Sequence, residues 1–251
     1  MPKFFVSQDQ INDDEIEING ADVNHIINVL RMKESDRVNI CDINSKNNYT
    51  AEIITYNNES IKCRIVEKKD SKGESNIYIT LFQGLPKGDK MELIIEKNVE
   101  LGIYEVAPVF MERSISKVDE KTKVKKQQKW QKISETAAKQ SGRDIIPKVN
   151  DIINIKNICN LINSYDIVLL AYEEETKNTL KEELKRLDSK KDIKIGIIVG
   201  PEGGLSKEEV NMLKEYGAKV VTLGKRILRT ETAGVALTSI IMYELDAWED
   251  I

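Results

Sequence analysis

Two glycine-bearing stretches carry the residues whose types could do chemistry. Residues 223–233 read Leu-Gly-Lys-Arg-Ile-Leu-Arg-Thr-Glu-Thr-Ala, and residues 200–204 read Gly-Pro-Glu-Gly-Gly. Gly200, Gly203, Gly204 and Gly224 permit positive φ and a close approach of backbone to a ligand. Arg229, Thr230 and Glu231 place a guanidinium, a hydroxyl and a carboxylate beside the second glycine turn. The spacing is neither Gly-x-Gly-x-x-Gly nor a Walker loop, so a standard dinucleotide or triphosphate site is disfavoured. On these residues alone, a loop of solvated charges ahead of a capped helix is an equally good reading.

The elements that must position these residues follow from periodicity. Each stretch lies where a short apolar run hands over to a helical pattern. Residues 193–199 and 218–223 read as buried strands, as do 77–82, 103–110 and 166–171. Ala233, Ala236, Leu237, Ile240, Ile241, Leu245 and Trp248 mark a helix with Thr230 as its N-cap. Ser206 and Glu209 form a capping box for a helix over 207–216, with Leu205 and Val210 as its hydrophobic staple. Helical patterns also cover 87–101, ended by Gly102, and 124–141 and 177–187. Strands alternating with helices imply a mostly parallel sheet covered on both faces. Ligands of such sheets bind at the carboxyl ends of strands. If three strands are neighbours, the turns at Leu170, Ala171, Tyr172 and Glu173, at Gly200, Pro201, Glu202, Gly203 and Gly204, and at Leu223 and Gly224 line one cleft. With Ile227 and Leu228 as apolar walls, that cleft suits an uncharged, adenine-like group. Residues 1–70 differ: short strands at 4–6, 15–18, 37–41, 49–55 and 60–66 and one helix at 23–30 suggest a small barrel. The polar stretch 68–75 places the boundary, giving domains 1–72 and 73–251.

The chain of 251 residues carries a net charge of −4, so contact with nucleic acid requires a local basic patch. Residues 113–143 supply one: Arg113, Lys117, Lys121, Lys123, Lys125, Lys126, Lys129, Lys132, Lys139 and Arg143 face only Asp119, Glu120 and Glu135. This excess favours phosphate-backbone contact over a merely solvated helix face. Small barrels also read nucleic acids, which adds Lys3, Arg31, Lys33 and Arg37 as candidates. Cys41, Cys63 and Cys159 are scattered, consistent with free thiols in a reducing cytosol. His25, the one histidine, sits in a short apolar stretch and reads as packed or capping, so no metal site is expected. No leader or run long enough to span a membrane is present, and a cytoplasmic protein without membrane contact is expected.

Motifs along nearly the whole chain resemble one family. They are Leu81-Phe82-Gln83-Gly84-Leu85-Pro86-Lys87-Gly88-Asp89-Lys90-Met91, then Glu96-Lys97, Glu100-Leu101-Gly102, Pro108 and Glu112-Arg113-Ser114. Lys129-Trp130, Ala137-Ala138-Lys139-Gln140-Ser141-Gly142-Arg143, Pro147, residues 200–204 and residues 223–233 continue the match. The chain resembles the ribosomal RNA small subunit methyltransferase E family, SPOUT-class enzymes that methylate N3 of a uridine in 16S rRNA. Departures are Leu205 where an aromatic is common, Gly84 where alanine is common, and Ser35-Asp36 in place of Gly-Asp.

The resemblance implies a PUA-like β-barrel, then an α/β domain with a deep trefoil knot, S-adenosylmethionine among the three turns, and a homodimer acting on 16S rRNA or the 30S subunit. Cofactor contacts then fall to the cleft residues above, Glu173 excepted, together with Arg229, Thr230 and Ala233. RNA contacts fall to Lys3, Arg31, Lys33, Lys87, Arg113, Lys125, Lys129, Lys139, Gln140 and Arg143. Methylation at N3 requires an unpaired or extruded base and removal of its proton. Arg229 would stabilise charge on the uracil oxygens, and Glu202 or Glu231 would accept the proton; Glu231 is read equally well as a helix-dipole partner. A non-catalytic RNA-binding or ribosome-assembly factor is the alternative from another class. It would have no use for the glycine turns.

Overall fold

The computed structural model describes residues 2–69, 74–114, 119–187, 191–245 and 247. Lys117, Trp248 and the expected boundary between residues 72 and 73 lie outside them. The chain divides into two compact units. The first holds Met1–Glu74 with Ala138–Ile146, and the second holds Ser75–Ala137 with Pro147–Ile251. The segment Ala138–Ile146 therefore groups with the amino-terminal unit, where the linear reading assigns it to the second domain.

In the first unit β1 (Lys3–Val6), β2 (Ile11–Asn12), β3 (Glu15–Asn19), β4 (Arg37–Asp42), β5 (Asn48–Tyr56) and β6 (Ser60–Lys69) form one sheet, ordered β1-β4-β5-β6-β3-β2. Only β1 and β4 pair in parallel. Strand alternation builds the core: Ile16 and Ile18, Val38 and Ile40, and Ala51 and Ile53 point to the buried side, which Val23 and Ile26 cover from the short helical segment α1 (Ala21–Asn24) and the wider turn after it. Truncating any one of these isoleucines to alanine costs about 2–5 kcal/mol. His25 packs edge-on against Phe4 at 6.0 Å between ring centroids. Glu74 fixes the returning segment: its carboxylate accepts from Arg143 Nη2 at 2.6 Å, Arg143 Nε at 3.2 Å and the Asp144 N–H at 2.9 Å.

The second unit is a parallel α/β sheet. Its strands are β7 (Ile77–Gly84), β8 (Glu105–Phe110), β9 (Lys148–Val149), β10 (Ile153–Asn154), β11 (Ile167–Ala171), β12 (Ile193–Val199) and β13 (Lys219–Val221). The order is β10-β8-β7-β12-β11-β13, with β9 also on β8, and every pairing is parallel. Continuous apolar runs such as Ile195 to Val199 are buried, as a sheet covered on both faces requires. The helices are α2 (Lys90–Glu100), α3 (Glu120–Ser141), α4 (Ile155–Leu161), α5 (Leu180–Leu184), α6 (Lys207–Glu215) and α7 (Thr230–Glu244). The last turn of α3 belongs to the first unit. Gly102 stops α2 at φ +96°, and a Cβ there would meet Met242 Cε of α7 at 2.6 Å. Inside the unit Thr238 Oγ1 of α7 donates to Asn98 Oδ1 of α2 at 2.7 Å, so the helices are joined by a satisfied buried polar pair. Among the described residues no helix is long and apolar enough to cross a membrane.

Candidate functional site

Strands β12, β11 and β13 are neighbours and run the same way, so their carboxyl ends open onto one edge. The three turns leaving them line a cavity of about 370 Å³, within the size range of small-molecule sites. Ala171, Tyr172, Gly200, Pro201, Glu202, Gly204, Leu223, Gly224, Ile227, Leu228, Arg229, Thr230 and Ala233 all contribute to its wall. Leu170 and Gly203 do not: Leu170 is wholly buried in the core behind the turn, and Gly203 lies against Arg113, whose Cβ would be 3.0 Å from a Cβ on the glycine. Glu173, expected in the first of these turns, also lines it, and Lys90, Val199, Leu205, Thr222, Lys225 and Arg226 do so without having been singled out for it by the sequence.

Local structure explains the shape of the turns. Gly204 adopts φ +68° and donates its N–H to Pro201 O at 2.9 Å, closing the 200–204 turn. Ser206 then caps α6: its Oγ accepts from Glu209 N at 3.3 Å, while its own N–H donates to Glu209 Oε2 at 3.0 Å. Leu205 and Val210 are buried in the same apolar cluster. Gly224 stands at φ +100° with open space where a Cβ would go. Thr230 corrects the expected N-cap. It is the first residue of α7, Arg229 is the cap, and the Thr230 hydroxyl donates to Gly200 O at 2.6 Å while accepting from Gln83 Nε2 at 2.8 Å. That hydroxyl joins two of the turns to β7 instead of closing a helix end.

The charged groups fall into two classes. Arg229, Arg226 and Lys225 are exposed and make no ion pair among the described residues. Glu202 and Glu231 are both taken up by Lys90, whose Nζ lies 3.0 Å from Glu202 Oε1 and 3.3 Å from Glu231 Oε2. Both contacts are ion pairs. Burial pushes the Glu202 carboxyl up, but the Lys90 hydrogen bond and the N–H groups of Glu202 and Lys87 outweigh it and hold it below its ordinary range. The N–H of Glu231 holds its own carboxyl down; burial opposes this, and Lys90 adds to it. Two carboxylates held this way are weak proton acceptors. Lys90 could have been suspected from sequence, because a cation in the first turn of a helix opposes the helix dipole and calls for an acidic partner.

A small ligand with an uncharged flat head fits this cavity. The N–H groups of Ile227 and Leu228 carry no hydrogen bond to a described residue, and both side chains lie on the wall. Glu173 adds an exposed carboxylate at the opposite turn. Among the described residues no group of His, Cys, Asp and Glu could hold a metal ion.

The expected RNA contacts are placed unequally. Lys87, Arg113 and Lys125 are exposed in the second unit, where Arg113 Nη1 also donates to Gly203 O at 3.0 Å and Lys129 pairs with Glu92. Arg31, Lys33 and Gln140 are exposed in the first unit. Arg143 is not open to phosphate: it is 6% exposed and forked onto Glu74. Lys3 pairs with Asp144, and Lys139 lies 2.8 Å from Asp22.

Comparison with known proteins agrees with this arrangement. Residues 73–242 match the RNA methyltransferase domain family, and residues 18–66 match the RNA methyltransferase PUA domain family. The ribosomal RNA small subunit methyltransferase E of Bacillus subtilis is 36% identical over 91% of this chain and 90% of its own length. A ribosomal RNA small subunit methyltransferase E from Neisseria gonorrhoeae, solved bound to S-adenosyl methionine, superposes with a TM-score of 0.83 at 30% identity, covering 97% of both chains. A Legionella pneumophila methyltransferase solved with the same cofactor gives a TM-score of 0.85 at 26% identity over 96% of both chains. With a PUA-like first unit, a parallel α/β second unit and these matches over nearly its full length, the chain belongs to the ribosomal RNA small subunit methyltransferase E family of RNA methyltransferases.

Proposed function

We propose that this chain binds S-adenosylmethionine at the carboxyl edge of β11, β12 and β13 and methylates N3 of a uridine in 16S rRNA of the small ribosomal subunit, in the cytoplasm. The observation that carries the reading is the convergence of three backbone turns on one cavity, within a chain whose relatives bear that enzyme name. Bound there, the cofactor supplies an electrophilic methyl group on a sulfonium centre. The open N–H groups of Ile227 and Leu228 and their side chains hold its adenine, and the glycine turns let backbone come close. The free guanidinium of Arg229 at the head of α7 meets negative charge as it grows on the uracil oxygens. Because nearby N–H groups and Lys90 together lower the basicity of Glu231 and Glu202, Arg229 carries more of the catalytic role than either carboxylate. Alignment of the two reactants supplies much of the rest.

In this reading the 223–233 segment belongs to a trefoil knot, and two copies of the chain act together. A homodimer is supported by the outward apolar residues of the second unit, Ile240 and Tyr243 of α7 and Leu93 of α2, of which Tyr243 is 70% exposed. Light scattering on the purified protein gives twice the chain mass if this is right. The test of function is incubation with methyl-labelled S-adenosylmethionine and either free 16S rRNA or assembled 30S subunits. Label mapped to N3 of a single uridine supports the reading. Cofactor binding without transfer to either RNA contradicts it.

A further inference from the structure

Lys90 joins three segments that are far apart in sequence. It opens α2, Glu202 lies in the turn after β12, and Glu231 lies in the first turn of α7. Its ammonium stands within 3.3 Å of both carboxylates and on the cavity wall itself. The Lys87 N–H, from the turn leading into α2, reaches Glu202 Oε1 at 3.1 Å and Oε2 at 3.2 Å. Without a cation between them, two carboxylates on adjoining walls repel, and the 200–204 turn loses its link to α7 on this side. The turn is also held elsewhere, at Gly200 O by the Thr230 hydroxyl, at Gly203 O by Arg113 Nη1 and at Glu202 by the Lys87 N–H, but of these contacts only those of Thr230 and Lys90 tie it to α7.

We propose that Lys90 is a positioning residue for the methyl-donor pocket, fastening the 200–204 turn to the first turn of α7 through Glu202 and Glu231 and so fixing the width of the cavity between them. This rests on the cofactor reading above. The bridge is partly solvated, with the three side chains 36%, 27% and 16% exposed, so its effect is local and global stability barely depends on it.

Hydrogen exchange on the ligand-free protein tests the clamp without relying on the cofactor reading. The reporters are the amides of Gly204, bonded to Pro201 O, and of Thr232 and Ala233, bonded to Arg229 O. In Lys90→Met they exchange about tenfold faster while amides of β12 keep their protection, and Lys90→Arg restores them. Calorimetry with S-adenosylhomocysteine then shows affinity falling about tenfold in Lys90→Met and returning in Lys90→Arg. The triple variant Lys90→Met, Glu202→Gln, Glu231→Gln binds no worse than Lys90→Met, because the groups act as one unit. Unchanged exchange in Lys90→Met, a loss that arginine does not restore, or losses that multiply in the triple variant each overturn the proposal. Lys90→Gln replaces Lys90→Met if the latter does not fold. Failure of the wild-type protein to bind S-adenosylhomocysteine counts against the cofactor reading, and the exchange data still decide the role of Lys90.

Discussion

In the first unit Lys3 faces Asp144, Lys139 faces Asp22, and Arg143 is buried against Glu74. In the second, Lys225, Arg226 and Arg229 stand exposed on one loop beside the cavity, with no ion pair among the described residues. Both groups are equally basic in sequence, yet they do different work. The first set fixes the returning segment Ala138–Ile146 within its unit, and the carboxylates it meets have already replaced its counterions. The second set meets no carboxylate within ion-pair distance among the described residues, as neutralising a phosphate backbone would require. A cation count along the chain therefore overstates the unpaired charge of the first unit.

The contrast can be broken from either side. Arg229→Ala lowers the methylation rate by about 10²–10³-fold or more, while calorimetry shows S-adenosylhomocysteine affinity within about tenfold of wild type. If binding vanishes together with activity, Arg229 belongs to the cofactor and not to the transition state. Arg143→Ala removes both guanidinium bonds to the half-buried Glu74, which keeps the Asp144 and Ile145 N–H groups, and destabilises the first unit by about 1–3 kcal/mol. Urea unfolding should show this, with cofactor affinity unchanged. Lys225→Ala with Arg226→Ala leaves the melting temperature in place but weakens RNA binding, and makes the salt dependence shallower by about 0.7–0.9 in slope for each phosphate no longer neutralised. An unchanged slope would remove that loop from the RNA surface.

Acid gives a milder effect with a definite sign. The folded-state carboxyls of Glu202 and Glu231 lie below their ordinary values. Their contribution is therefore complete above the unfolded value of about 4.3 and fades as pH falls through the folded value. Cofactor affinity should stay level from pH 8 to about 5 and decline only in more acid solution. A decline already at about pH 6 to 7 would show that another group governs the pocket. The smallest effect concerns the first unit, where Ser35 sits at φ +72°. Ser35→Gly removes strain of about 1–2 kcal/mol but loosens the unfolded chain, for a net gain under about 1 kcal/mol in thermal melts.

What the sequence disclosed was local. The runs at Ile195 to Val199 and Val168 to Leu170 are apolar without alternation because both faces of the sheet are covered, and that alone suggests parallel strands. The Ser206–Glu209 box lies within four residues and appears as expected. Strands β2, β9 and β10 are two residues each, too short to carry a period, and α4 spans only Ile155–Leu161. The remaining gaps are long-range. Thr230 looks like a cap until Gly200 and Gln83 are brought beside it, and Arg143 looks free until Glu74 returns from 69 residues away. The cavity residues fall on turns already suspected, but the bridge at Lys90 unites positions 90, 202 and 231, and no window of sequence contains all three.

The most direct measurement is a crystal structure of the protein with S-adenosylhomocysteine. Density enclosed by Ala171 and Tyr172, the 200–204 turn and the 223–230 loop, with adenine against Ile227 and Leu228, is the result expected from this arrangement. Ligand bound anywhere else, with that cavity holding only solvent at saturating concentration, would contradict it.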